Sequence, residues 1–164
     1  MKSLKYLSSA VLGFSVLSIT LSTKPAQAQV AYGSYVGVGP TVGLSENSQI
    51  GGVVAVRYKL LKAPVSFRAQ ALIGESTAVV PTVSYDLPLN WQTDAYLGAG
   101  LVLAGGDTAS PVGNKISFAI QPGVDYAVPN SNTVFFGNAI IAFDAYRNSN
   151  SAAVSVQGGV GLRF

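Results

Sequence analysis

Seven alternate positions at the end of the chain, Ala152, Val154, Val156, Gly158, Val160, Leu162 and Phe164, are apolar or small, and those between them are small or polar. A strand turns successive side chains to opposite faces, so this segment has one apolar face and one hydrophilic face. The same period of two recurs along most of the chain. It restricts the fold to sheet whose two sides meet different surroundings.

The first 28 residues are of another kind. Lys2 and Lys5 precede an apolar run from about Leu7 to Leu21, and Ala26-Gln27-Ala28 forms a small-residue cleavage site. These are the three parts of a cleavable secretory signal peptide of the Sec type. The run is shorter than the ~20 residues a membrane-spanning helix needs. Residues 1–28 are therefore expected to be removed, leaving 29–164 as one β-barrel domain.

Removing the leader changes the charge reading. The formal net charge of +3 includes Lys2, Lys5 and Lys24. Seven basic and seven acidic side chains remain after position 28. Nothing in that balance favours a nucleic-acid partner. The chain has no Cys and no His. Disulfides, thiolate or imidazole metal sites and His-assisted nucleophilic catalysis are thereby excluded, and no cofactor is expected. Asp86 with Asp94 or Asp125 could form a carboxylate pair, but basic neighbours favour structural ion pairing over catalysis. Gly37-Val38-Gly39 lies inside an alternating strand with no helix after it, so it does not make a phosphate loop.

Alternation and turn residues predict eight strands, near 31–44, 50–60, 65–74, 78–87, 94–104, 115–128, 134–146 and 152–164. Breakers separate them, among them Lys62-Ala63-Pro64, Pro88-Leu89-Asn90, Gly105-Gly106-Asp107 and Pro129-Asn130-Ser131-Asn132. An even number of strands of about ten residues suits an antiparallel up-and-down barrel crossing a bilayer. Closure removes the sheet edges that hydrocarbon could not solvate.

The alternation also divides the side chains. Val65, Phe67, Ala69, Ala71 and Ile73, then Val79, Pro81, Val83, Tyr85 and Leu87, then Leu97, Ala99, Leu101 and Leu103 are placed toward lipid. Ile116, Phe118, Ile120, Pro122, Val124 and Tyr126 follow, then Phe135, Gly137, Ala139, Ile141 and Phe143. None is charged, as expected where Arg or Lys at mid-bilayer would cost about 2–4 kcal/mol. Pro81 and Pro122 each delete a ladder donor and are expected to mark a bulge or an edge. The opposite parity collects Arg57, Lys59, Arg68, Asp86, Asp94, Asp125, Asp144 and Arg163. All but Asp144 fall in the periplasmic half of the interior, and Asp144 lies with Lys115 toward the other end. Inward glycines, among them Gly37, Gly39, Gly98, Gly100, Gly159 and Gly161, make room for large neighbours such as Tyr96. Tyr32, Tyr58, Tyr85, Trp91, Tyr126 and Phe164 are placed at an interfacial girdle.

These features resemble the small eight-stranded outer-membrane barrel family typified by the OmpA transmembrane domain and OmpX. The resemblance covers Gln29 to Phe164 and has one specific motif, the ending Val160-Gly161-Leu162-Arg163-Phe164. It implies an all-β transmembrane barrel of the outer membrane, with a mixed-charge lumen network and with Val160, Leu162 and Phe164 as the signal read by the barrel assembly machinery. Outer-membrane lipid, that machinery and periplasmic chaperones are the partners it implies. Two departures stand out: no periplasmic domain follows the barrel, and the outer loops are short.

Three functions compete at this level. A non-enzymatic structural barrel with a side-chain-plugged lumen predicts charges inside and detergent dependence. A narrow pore for small solutes or ions uses the same interior with an outer mouth left uncovered. A soluble lipocalin-like periplasmic barrel reverses the polarity, with apolar residues inside and Arg57 and Asp125 in water.

Overall fold

The computed structural model describes residues 33–45, 48–105, 108–147 and 149–164. The leader and Tyr32 lie outside these residues. Eight strands form a closed barrel in sequence order. They are β1 Tyr35–Gly43, β2 Gln49–Lys59, β3 Val65–Ile73, β4 Thr77–Pro88, β5 Thr93–Val102, β6 Ser117–Ala127, β7 Thr133–Phe143 and β8 Ala153–Arg163. Every neighbour is antiparallel, and β1 pairs with β8 to close the sheet.

The register fixes the geometry. From Tyr35 the pairing runs through Arg57, Arg68, Thr82, Gly100, Ala119, Ala142 and Ala153. The β8–β1 register, with Gly43 opposite Ser155, then returns the path to Ser45, ten residues beyond its start. With strands about 4.8 Å apart and a rise of about 3.3 Å per residue, that stagger tilts them by roughly 40°. A strand of eleven residues such as β2 then rises roughly 27 Å along the axis, close to the apolar band of about 25 Å of transmembrane barrels.

Burial alternates as the sequence pattern requires. On β4, Ala78, Val80, Thr82, Ser84 and Asp86 are buried while Val79, Pro81, Val83, Tyr85 and Leu87 are exposed. Val160 and Leu162 face outward on β8, whereas Ser155 and Gln157 are buried.

The prolines do not produce the expected bulges. Val79 opposite Leu103 and Thr82 opposite Gly100 share one offset on either side of Pro81. Ile120 opposite Ile141 and Gly123 opposite Asn138 do the same around Pro122. Pairing lapses locally and resumes in the same register. The reason is the two-sided pattern, because a one-residue slip would turn Asp86 or Asp125 into the apolar exterior.

The barrel has two ends. Tyr35, Arg163 and the connections 60–64, 89–92 and 128–132 lie at the terminal end. The longer connections 103–116 and 144–152 lie at the loop end with the β1–β2 and β3–β4 turns.

Candidate functional site

The interior side chains of the terminal half form one ionic cluster. Arg57 on β2 is its hub. Its Nη2 lies 2.9 Å from Asp86 Oδ2 and 3.0 Å from Asp94 Oδ2, and its Nη1 lies 3.0 Å from Asp125 Oδ2. Its Nε donates to Ser66 Oγ at 3.1 Å. Arg68 on β3 reaches Asp125 Oδ2 at 2.9 Å and Asp86 Oδ1 at 3.3 Å, while its Nε donates to Ser84 Oγ at 2.8 Å. Lys59 completes the set, 2.9 Å from Asp94 at the mouth. Three cations face three carboxylates, so the cluster is neutral.

Its polar atoms are well partnered. Asp86 accepts from the hydroxyls of Ser66 and Ser84, and Asp125 accepts from the Tyr35 hydroxyl at 2.9 Å. The Arg68 guanidinium carbon lies 3.3 Å from the centre of the Tyr96 ring, a cation–π contact. Burying ions is costly unless every charge is paired and every remaining lone pair or proton is satisfied. That condition explains why six ionised residues, from five strands, converge at this end of the lumen. Tyr96 fits because Gly123 stands opposite it; a Cβ there would strike the phenol and the Asn138 Cβ.

Above the ions lies a layer of neutral polar side chains. Thr41 Oγ1 donates to Gln157 Oε1 at 3.1 Å, Gln157 Nε2 donates to Asn138 Oδ1 at 2.6 Å, and Thr82 Oγ1 donates to Gln121 Oε1 at 2.7 Å. Beyond it the interior is apolar, with Val53, Leu72, Val80, Val102, Ala119 and Ile140 all buried. The β5–β6 connection tucks into this end. Ala109, Pro111 and Val112 are buried, and Gln49 Nε2 donates to the Ala109 carbonyl at 2.6 Å. Gly113, at φ +100°, lies against Ala145, where a Cβ would collide with the backbone.

Three expectations are corrected here. Asp144 is not in the lumen: it follows the last residue of β7, has φ +52° and pairs with Lys115 at 2.5 Å on the exposed rim. The strand stops at Phe143 because Asp, unlike most residues, tolerates a left-handed backbone and so permits the turn. The outer loops do not leave the mouth bare, since residues 109–113 are buried at that end and Gln49 bonds the Ala109 carbonyl. The lipocalin-like polarity is reversed, because Arg57, Arg68 and Asp125 are buried inside the barrel. Of the remaining sequence-derived residues, Arg57, Lys59, Arg68, Asp86, Asp94 and Asp125 come together. Arg163 is inward and half-buried at the mouth, where its guanidinium donates to the Ser131 carbonyl.

Tyr58, Tyr85 and Tyr126 are exposed near the terminal end, outside the barrel wall. Phe118 and Phe143 stack at the loop end with centroids 6.2 Å apart. Alternation alone missed Tyr35, Ser66 and Ser84 as members of the cluster. Their signal was available, since Ser66 precedes Arg68, and Ser84 precedes Asp86, by two positions on one face. Among the described residues no cluster of three or more Asp, Glu, His or Cys side chains is placed to hold a metal ion.

Closure, stagger and an inward-charged, outward-apolar wall define a transmembrane β-barrel of the smallest common size. No family model and no curated protein matches the chain. Solved structures share its fold, two of them as follows. The crystal structure of Neisserial surface protein A has a TM-score of 0.57 at 14% identity, covering 80% of this chain and 96% of that one. A barrel from the de novo design of transmembrane β-barrels has a TM-score of 0.53 at 14% identity, covering 79% and 95%. The chain has the fold of the small eight-stranded outer-membrane barrels.

Proposed function

We propose that the protein is a non-enzymatic structural component of the outer membrane, exported through a signal peptide at residues 1–28 that is then cleaved, and closed to solutes by its own side chains. One observation carries the reading: Arg57, Arg68, Asp86 and Asp125 fill the axis while the outward positions of the strands are apolar. Ions bonded across the bore at 2.9–3.3 Å leave little room for a hydrated solute. The apolar layer and residues 109–113 obstruct the other half. In this reading the terminal end faces the periplasm and the loop end faces outward. Val160, Leu162 and Phe164 are presented to the assembly machinery, and periplasmic chaperones carry the unfolded chain.

Refolding into detergent or vesicles should give a compact, heat-modifiable species on a gel, and cell fractionation should find it with outer membranes. Planar bilayers containing the folded protein should stay silent. A protein soluble in the periplasm without detergent sinks the membrane assignment. Steady channels that change size in Arg57→Ala would replace the plug with a pore.

A further inference from the structure

Residues 109–113 belong to no strand, yet they are buried at the loop end of the bore. The wall there is made of small side chains, Ala78, Ala142, Ala145 and Ala153, all fully buried, and it leaves a bay that the inserted segment occupies. That segment carries hydrogen bonds of its own. Ser110 N–H donates to the Gly113 carbonyl at 2.9 Å, Gly113 N–H donates to the Ser110 carbonyl at 3.0 Å, and Ser110 Oγ donates to the Gly113 carbonyl at 2.6 Å. Gln49 Nε2 ties it to the wall through the Ala109 carbonyl at 2.6 Å, and Asn114 N–H bonds the Ala145 carbonyl just beyond it.

The segment fits the bay in shape better than in polarity. Gln49 on β2, Ser117 on β6 and Ser155 on β8 face inward in this half and are more than nine-tenths buried. Gln49 Oε1, Ser117 Oγ and Ser155 Oγ have no hydrogen-bond partner among the described residues. Buried polar atoms left in that condition are costly. Gln49 shows the mismatch most clearly, because a primary amide offers a donor and an acceptor side by side and the segment answers only the donor. Pro111 stands next to the acceptor: a Cβ placed on Gly74 would lie 2.7 Å from Gln49 Oε1 and 3.2 Å from Pro111 Cδ. Proline carries that Cδ where any other residue carries an N–H.

We propose that the bay is a binding site for a short peptide segment with small apolar side chains, and that residues 109–113 are its internal competitor. The incoming segment puts an ordinary residue where Pro111 stands, so that one peptide N–H donates to Gln49 Oε1 while a carbonyl takes Gln49 Nε2, as the Ala109 carbonyl does in its absence. The turn at 110–113 leaves with its internal bonds intact. Alanines in the wall exclude bulky side chains, and the lack of a counter-charge in this half excludes charged ones.

Two peptides that differ in the one N–H make the test: acetyl-Ala-Ser-Ala-Val-amide and acetyl-Ala-Ser-Pro-Val-amide, each titrated onto barrel folded in detergent. Binding is read from the NMR shifts of the Gln49 side-chain amide and the Ser117 backbone amide. Two variants keep the turn out of the bay: Val112→Asp, whose carboxylate finds no partner there, and Gly113→Val, whose Cβ would strike the Ala145 backbone. Either one, shown to be folded by heat-modifiable migration, should bind the first peptide with a Kd on the order of 1 mM and the second about fivefold more weakly. The unaltered barrel should bind the first peptide at least tenfold more weakly than the variants do. Adding Gln49→Leu should make the two peptides equal. No saturable shift in a folded variant, or equal affinities with Gln49 in place, would overturn the site. So would cross-relaxation of the Gln49 amide with water that the peptide does not displace, which would mean ordered water only. Should neither variant fold, the turn is an integral part of the barrel and the proposal fails.

Discussion

The two halves of the lumen solve one packing problem with opposite chemistry. At the terminal end six ionised groups from β2 to β6 fill the bore, tied by hydroxyls from Ser66, Ser84 and Tyr35. At the loop end Val53, Leu72, Val80, Val102 and Ile140 do so with no charge at all. The apolar half gains from removing hydrocarbon surface from water and tolerates local repacking. The ionic half gains little net energy from its pairs but is intolerant of losing one, because the partners left behind remain buried and charged. Both fills are compatible with the same wall, since the exterior alternation is unchanged from one end to the other. Stability and specificity are thus separable along the axis, and substitutions at the two ends should differ in kind.

The sharpest break in that comparison is Asp125→Ala. It strips Arg57 and Arg68 of a shared carboxylate and Tyr35 of its acceptor in a site where all four side chains are buried. A loss of about 3–5 kcal/mol is expected, read from urea unfolding of the barrel in vesicles. A loss below about 1 kcal/mol would mean that water reaches the cluster and that the plug is porous. Ile140→Ala, fully buried in the other half, should cost about 2–4 kcal/mol by the same measurement, as a cavity among apolar neighbours does. Adding Asp125→Ala to it should be additive, because the two sites share no partner.

Gly123→Ala is smaller and tests how the halves meet. The new methyl would press on Tyr96, which stacks on Arg68. About 1–3 kcal/mol of overpacking is expected, and a companion Tyr96→Phe, which removes the hydroxyl from the collision, should recover part of it.

Much of this architecture is written in the alternation, and the parts that are not have identifiable causes. All eight strands and the inward position of Arg57, Arg68, Asp86, Asp94 and Asp125 follow from a period of two plus the cost of charge in lipid. Pro81 and Pro122 mislead because propensity describes a single strand, whereas the register is held by neighbours on both sides. The partners of each ion could not be read, since pairing across the bore depends on the stagger, and the stagger is a property of the closed sheet. Residues 105–114 carry Gly, Ser and Pro like any exposed loop. Ala109 and Val112 were the trace of burial within it, too short a pattern to have a period.

Asp144 closes the comparison from outside both halves. Parity along β7 continues to Tyr146, and on that pattern Asp144 joins the lumen charges; the backbone instead leaves the strand after Phe143 and turns at φ +52°. Its side chain and that of Lys115 are 51% and 40% exposed, so their 2.5 Å contact is a surface pair. Pairs of that kind contribute about 0–1 kcal/mol, and Asn accepts the same left-handed backbone. Asp144→Asn should therefore change the stability read from urea unfolding by less than about 0.5 kcal/mol, against the several expected for Asp125, and 0.5 M salt should erase what difference remains. A loss comparable to that of Asp125→Ala would return Asp144 to the interior and require β7 to run longer, lifting the ionic layer into the loop half and dissolving the division between the two ends.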